Sequence, residues 1–102
     1  MPSEVIDNTA KNRFELEEDG ETAFLLYKRQ GSFINLVHTE VPQSMQGKGV
    51  GSKLASGALQ LIRAQKLTAV PLCPFVVDYL KRHHEYLDVV AAEDRRRILS
   101  SE

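Results

Sequence analysis

The sequence predicts a single small domain of the α/β (α+β) class, with one mixed β-sheet, a long helix and a short second helix. Three observations lead to this prediction. Apolar and polar residues alternate through the first half of the chain, a helical period begins inside the glycine-rich segment 46–52, and a short apolar segment follows at 68–72. The 102 residues fit one domain near the lower end of the usual size range.

The alternating half of the chain predicts three strands, near residues 13–18, 22–30 and 32–41. Asp19-Gly20 lies between the first two strands and suits a tight hairpin, because both central residues of that turn need a positive φ. Strands joined by short turns form an antiparallel meander. Pro42 has no N–H to donate to a sheet, so the third strand is expected to end or splay there.

The second half of the chain predicts a long helix near residues 48–66, because Val50, Leu54 and Ala58 form one apolar stripe at helical spacing. Residues 68–72 are expected to form a short buried strand. A right-handed strand–helix–strand connection makes that strand parallel to the third one. The predicted sheet therefore has four strands, and Pro74 suits the first turn of the short second helix.

The ends of the chain differ from its centre in composition. Residues 1–11 are polar and have no period, so we expect a flexible lead-in before a domain that spans residues 12–92. Residues 93–102 form a charged tail. A solvated helix end with a Glu93–Arg97 ion pair explains this tail better than a nucleic-acid-binding arm does.

Charge and residue usage argue against several classes of partner. A net charge of −1 gives no basic footprint for nucleic acid. No apolar run approaches the roughly 20 residues that span a bilayer, and the N-terminus lacks signal-peptide features, so we expect a cytoplasmic protein without a membrane partner. Cys73 is the only cysteine, and His83-His84 have no metal-ligand spacing, so neither a disulfide nor a metal is expected. A monomer or weak homodimer is expected.

The glycine-rich segment predicts a phosphate site. Its glycines let a ligand approach the backbone closely, and the helix that it opens offers unpaired N–H groups and the positive end of a dipole. Neither the Walker loop nor the Rossmann fingerprint fits its glycine spacing. A glycine-rich turn without a ligand remains the alternative. The residues of the segment are Gln46, Gly47, Lys48, Gly49, Val50, Gly51 and Ser52.

Motifs from about residue 14 to residue 90 resemble the GNAT superfamily of N-acetyltransferases. Gln46, Gly49 and Gly51 fit its Q/R-x-x-G-x-G/A acyl-CoA loop. The closer similarity is to the small YjdJ-like (NATD1-like) branch. The segments of this sequence that resemble motifs of that branch are Leu36-Val37-His38-Thr39, Val41-Pro42, Pro71-Leu72-Cys73-Pro74 and Tyr79-Leu80-Lys81-Arg82.

The resemblance implies a minimal GNAT-like fold that uses acetyl-CoA as cosubstrate and transfers its acetyl group to an amine. The pyrophosphate would rest on the loop, and the pantetheine arm would run along Thr39 and Val41. The thioester would then lie near Cys73 and His38, which the resemblance implies as catalytic residues that meet at neighbouring strand ends. Tyr79 is a further candidate, either as a cofactor contact that protonates the departing thiolate or as a packing residue on the second helix.

On the residues alone, each of these roles has a structural alternative. Cys73 could be a small buried side chain, and His38, expected on the same strand face as Ile34 and Leu36, could be a core histidine with its hydrogen bonds satisfied. Glu40 is the second candidate for the general base. For the whole chain, the alternative to a transferase is a non-catalytic module that binds CoA or acyl-CoA, because larger GNAT enzymes shape their acceptor groove with extra helices.

Overall fold

In the computed structural model, which describes residues 4–100, five strands form one mixed sheet in the order in which they follow along the chain. The first four pair antiparallel, and β5 pairs parallel to β4. Asp19 and Gly20 join β2 to β3, and both have the positive φ that a tight hairpin needs, 52° and 78°. The strands are β1 Val5–Asn8, β2 Arg13–Glu18, β3 Glu21–Gln30, β4 Phe33–Glu40 and β5 Thr68–Pro71.

The long helix α1, Val50–Ala64, connects β4 to β5. After β5 come α2, Pro74–Arg82, a 3-10 helix, His84–Val89, and α3, Ala92–Ser100. Pro74 occupies the start of α2, where its missing N–H costs nothing because the first helical N–H groups have no partner within the helix. The predicted meander, long helix, parallel strand and short second helix are therefore present.

The core lies between one face of the sheet and α1. Leu16, Leu25 and Leu36 contribute from the strands, while Leu54 and Leu59 contribute from α1, and all five are fully or almost fully buried. The opposite face is more open. It exposes Phe33, and it carries Phe24 beneath the Arg13 guanidinium, which lies 4.4 Å from the centre of the ring.

The prediction of four strands was wrong, because β1 lies within the segment expected to be a flexible lead-in. Val5 pairs with Leu16, and its side chain packs where a Cβ on Gly57 of α1 would lie. Four residues are too few to display a period, so this strand depends on tertiary contacts that the pattern does not reveal. Residues 1–3 of the expected lead-in lie outside the described residues.

The charged segment forms helix α3, and this helix is less solvated than the sequence led us to expect. Helix α3 buries Asp94 and Ile98, so only part of its surface faces water. Arg97 forms its ion pair with Asp94, three residues before it, whereas the expected partner was Glu93. Residues 101 and 102 lie outside the described part of the chain.

Candidate functional site

The candidate site begins where β4 and β5 separate. Their pairing ends at Leu36 and Pro71, whereas β4 continues alongside β3 as far as Glu40. The Leu36 carbonyl oxygen accepts hydrogen bonds from the backbone N–H groups of Leu72 at 2.9 Å and Cys73 at 3.0 Å. The end of β4 therefore has a strand partner on one side only, and a gap opens on the other side.

A β-bulge at Val37 determines which side chains of β4 face the core. Tyr27 pairs with Leu36 and its neighbour Leu26 pairs with His38, so Val37 is an extra residue in β4. Adjacent residues of β3 point to opposite faces of the sheet, and their partners follow them. After the bulge, His38 shares the open face with Leu26, and Thr39, which pairs with Leu25, takes the core side.

The expectation that His38 lies on the face of Ile34 and Leu36 and meets Cys73 was therefore wrong. The His38 side chain is 56% exposed, and its Nε2 lies 3.7 Å from Oε1 of Glu40. Thr39 occupies the expected place instead, with its Oγ1 3.2 Å from the Cys73 sulfur. The structure thus brings Thr39 and Cys73 together and leaves His38 beside Glu40, the second candidate base.

Cys73 is buried at the junction between β5 and α2. It is 4% exposed and caps the N-terminus of α2, where its carbonyl accepts the N–H of Val77. Its backbone N–H donates to the Leu36 carbonyl, so hydrogen bonds on both sides fix the backbone that carries the thiol.

The glycine-rich loop is anchored to the end of β4. The Gln46 side-chain amide donates to the Val41 carbonyl at 3.2 Å, after a 3-10 turn at Gln43–Met45 that buries Met45. Gly47 and Gly49 have φ of 82° and 73°, a conformation that glycine adopts without strain. Lys53 makes the first bond of α1, to the Gly49 carbonyl, so the N–H groups before it have no partner within the helix.

A cavity of about 400 Å³ connects the loop with the end of β4 and the start of α2. A Cβ on Gly47 or Gly49 would meet nothing within 4 Å, so the space beside these backbones is open to a ligand. The residues lining the cavity are Thr39, Val41, Met45, Gln46, Gly47, Gly49, Val50, Gly51, Ser52 and Phe75.

Most of the predicted cofactor residues line this cavity, while Lys48, Cys73 and Tyr79 do not. Lys48 is exposed on the loop. Met45 and Phe75 line the cavity but were not predicted. The ring of Phe75 packs so closely over Gly51 that a Cβ on Gly51 would lie 2.6 Å from it. The sequence signal for Phe75 was its position directly after Cys73-Pro74.

Tyr79 lies one helical turn after Phe75, in a cluster between α1 and α2. Its ring stacks on His83 at 4.2 Å, and the neighbouring Tyr86 hydroxyl lies 2.8 Å from the Ser56 hydroxyl. Burial is the largest influence on Tyr79 and raises its pKa above the ordinary tyrosine value. Tyr79 is therefore protonated at neutral pH, and its hydroxyl can donate a hydrogen bond.

The placement of potential metal ligands and the length of the helices bear on other classes of site. Among residues 4–100, no group of three or more His, Cys, Asp or Glu side chains is arranged to hold a metal ion. Within the same residues, no helix is both long enough and apolar enough to cross a membrane.

A bulged strand that splays from its neighbour and leads through a glycine-rich loop into a long helix defines a GNAT-like α/β domain. The chain belongs to the GCN5-related N-acetyltransferase family, whose model matches residues 13–89.

Individual relatives agree with the family model. Protein NATD1 from Gallus gallus is 31% identical over 85 residues, which cover 80% of this chain and 77% of that protein. Protein NATD1 from Homo sapiens is also 31% identical, with 80% and 75% covered. The solution NMR structure of a GCN5-like protein from Staphylococcus aureus superimposes with a TM-score of 0.66 at 27% identity, covering 86% of this chain and 87% of that one.

Proposed function

We propose that this protein is an acetyl-CoA-dependent N-acetyltransferase that binds its cosubstrate in the cavity between the 46–52 loop and Phe75. The observation that carries the proposal is the open space beside the positive-φ backbones of Gly47 and Gly49, at the N-terminus of α1. Unpaired helical N–H groups and the helix dipole stabilise a pyrophosphate there. Gly51 and Ser52 line the same cavity and extend this contact surface.

The pantetheine arm follows the splayed end of β4. Thr39 and Val41 line the cavity on that side, and β4 has no β5 partner beyond Leu36. The acetyl group then lies beside Thr39, whose Oγ1 contacts the Cys73 sulfur. This contact supports the proposed placement of Cys73 at the active centre. Tyr79 contacts the ligand if the sulfur lies toward the space between α1 and α2, where its protonated hydroxyl can supply the departing thiolate.

The amine acceptor approaches from the open face of the sheet. His38 and Glu40 both project from that face, directly beside Thr39 in the chain. An imidazole or a carboxylate at this position can take the proton that an ammonium acceptor must lose before it attacks. In this proposal His38 is the general base. Glu40 either orients the imidazole or serves as the base in its place.

Calorimetry with CoA tests the binding half of the proposal. We expect a dissociation constant in the micromolar range or below, with one ligand per chain. Lys48→Ala should weaken binding a few-fold, and this loss of affinity should be larger at low salt. An exposed lysine contributes a point charge, and salt screens it. The matched control is Lys28→Ala, an exposed lysine on β3, which should leave the affinity unchanged. Absence of binding at millimolar CoA would contradict the proposal.

A non-catalytic CoA-binding module is the second candidate, and one observation favours it. The predicted catalytic residues Cys73 and His38 lie on opposite sides of β4, so they do not act on each other directly. Release of free thiol from acetyl-CoA, followed with a lysine-containing peptide and with spermidine as probe amines, separates the two candidates. Amine-dependent release supports the transferase. Binding without release for either amine supports the module.

A further inference from the structure

We propose that the Thr39 hydroxyl is the group that meets the acetyl carbonyl of acetyl-CoA, and that Cys73 is a positioning residue that acts through it. This inference rests on the proposed function, because it takes the cavity as the acetyl-CoA site. It reverses the order of the two side chains expected from the sequence, where Cys73 meets the thioester and Thr39 contributes to binding the pantetheine arm.

The first argument is the order of the two side chains relative to the cavity. Thr39 lines the cavity, whereas Cys73 is outside the lining residues and only 4% exposed. Thr39 Oγ1 is 3.2 Å from the Cys73 sulfur, which is a hydrogen-bond contact for sulfur. Thr39 therefore stands between Cys73 and a ligand in the cavity, with its hydroxyl in contact with the thiol.

The second argument concerns the direction of that hydrogen bond. A hydroxyl has one proton and two lone pairs, and a thiol is a weak donor with one proton. If the Cys73 S–H donates to Thr39 Oγ1, the threonine proton is free to point into the cavity. A thioester carbonyl oxygen only accepts hydrogen bonds, so it matches this free proton.

The third argument is rigidity. Thr39 is β-branched and follows the bulge at Val37, and its strand pairing with Leu25 sets the direction of its side chain. Cys73 is held through its backbone bond to the Leu36 carbonyl. A donor fixed in advance at the place where negative charge develops on the carbonyl oxygen stabilises the transition state without reorganisation.

Binding of two CoA thio-derivatives tests the inference without knowledge of the acceptor. Acetyl-CoA carries the carbonyl, whereas S-ethyl-CoA has the same length but no carbonyl oxygen. Thr39→Val keeps the shape of the side chain and removes the hydroxyl, and Thr39→Ser keeps the hydroxyl. We expect Thr39→Val to weaken acetyl-CoA binding about fivefold, the typical loss for one hydrogen bond, and to leave S-ethyl-CoA binding unchanged. Thr39→Ser should retain the wild-type ratio of the two affinities.

The positioning role of Cys73 is tested with two further variants in the same assay. Cys73→Ala removes the donor that orients the threonine hydroxyl, so the preference for acetyl-CoA over S-ethyl-CoA should fall about twofold to threefold. Cys73→Ser supplies a donor again and should restore the preference. A residue that only fills space would be replaced equally well by alanine or serine in this ratio.

The possible outcomes separate the inference from the proposed function. If wild-type protein binds neither derivative, the proposed function fails and this inference fails with it. If both bind and Thr39→Val weakens both equally or neither, acetyl-CoA occupies the cavity but Thr39 does not meet its carbonyl. Equal ratios for Cys73→Ala and wild type would overturn the positioning role alone. Retained S-ethyl-CoA affinity shows in each variant that the fold and the cavity are intact.

Discussion

At the scale of single residues, the glycines of the loop have a conformational role and a spatial role, and Gly49 combines both. Its φ of 73° requires the left-handed region, and the direction in which a Cβ would point is empty. Gly31, in the turn between β3 and β4, has a φ of 61° and equally open surroundings, but it lies outside the cavity lining. These two glycines therefore separate backbone strain from loss of ligand space.

Gly49→Ala and Gly31→Ala should each lower the free energy of unfolding by about 1 kcal/mol, because alanine in the left-handed region is strained. Only Gly49→Ala should also weaken CoA binding, by about tenfold, since its methyl group occupies the space through which the phosphates approach the backbone. Urea unfolding and calorimetry measure the two effects. An equal change in CoA affinity for both variants would show that strain alone is responsible.

The residue scale is also where prediction from the sequence reached its limit. The loop could be placed at the start of the long helix, because the spacing of Gln46, Gly49 and Gly51 is a local feature of the chain. His38 could not be placed, because the alternation along β4 is compatible with a bulge before or after it. Only the pairing with β3 shows that Val37 is the extra residue, and this pairing exchanges the faces of His38 and Thr39.

At the scale of elements, the long periodic segments were predicted well, and the short strand β1 was missed. Fifteen residues in α1 display their apolar stripe several times, whereas the four residues of β1 display no period. Strand β1 is stabilised instead by contact with α1, where Val5 packs over the bare backbone of Gly57. A Cβ on Gly57 would lie 2.3 Å from a methyl carbon of Val5, so the two elements fit together only with glycine at that position.

Gly57→Ala should therefore destabilise the wild-type protein by about 1–3 kcal/mol, because the added methyl group overpacks the contact between α1 and β1. In a Val5→Ala background the same change should cost clearly less, because the methyl carbons of Val5 are gone and only the contact with the Cβ of residue 5, at 2.6 Å, remains. Urea unfolding of the four proteins forms a double-mutant cycle. An effect of Gly57→Ala that is identical in both backgrounds would show that β1 does not pack there.

At the scale of the whole molecule, Asp7 connects parts of the chain that are far apart in sequence. One carboxylate oxygen accepts a hydrogen bond from the Tyr27 hydroxyl of β3 at 2.5 Å, and the other accepts one from the Gln65 amide at the end of α1 at 3.4 Å. The first strand, the third strand and the long helix therefore meet at one carboxylate. These contacts lie away from the cavity, so they serve the stability of the fold rather than its binding site.

Burial, together with the Asp7 hydrogen bond and charge, raises the pKa of Tyr27 from 10.0 to about 12. Because the folded state holds this proton more tightly than the unfolded chain does, the stabilisation is fully present below pH 10 and is lost as the pH rises toward 12.

Tyr27→Phe should cost about 1 kcal/mol at pH 8, where the hydrogen bond is intact. The deficit should shrink above pH 10, because only the wild type loses stability as the Tyr27 hydroxyl is forced to ionise. Urea unfolding between pH 8 and pH 11.5 measures the difference, and Tyr86→Phe, which removes another buried tyrosine hydroxyl, should keep the alkaline decline. A deficit for Tyr27→Phe that stays constant across this range would show that the Tyr27–Asp7 contact does not control the alkaline stability of the fold.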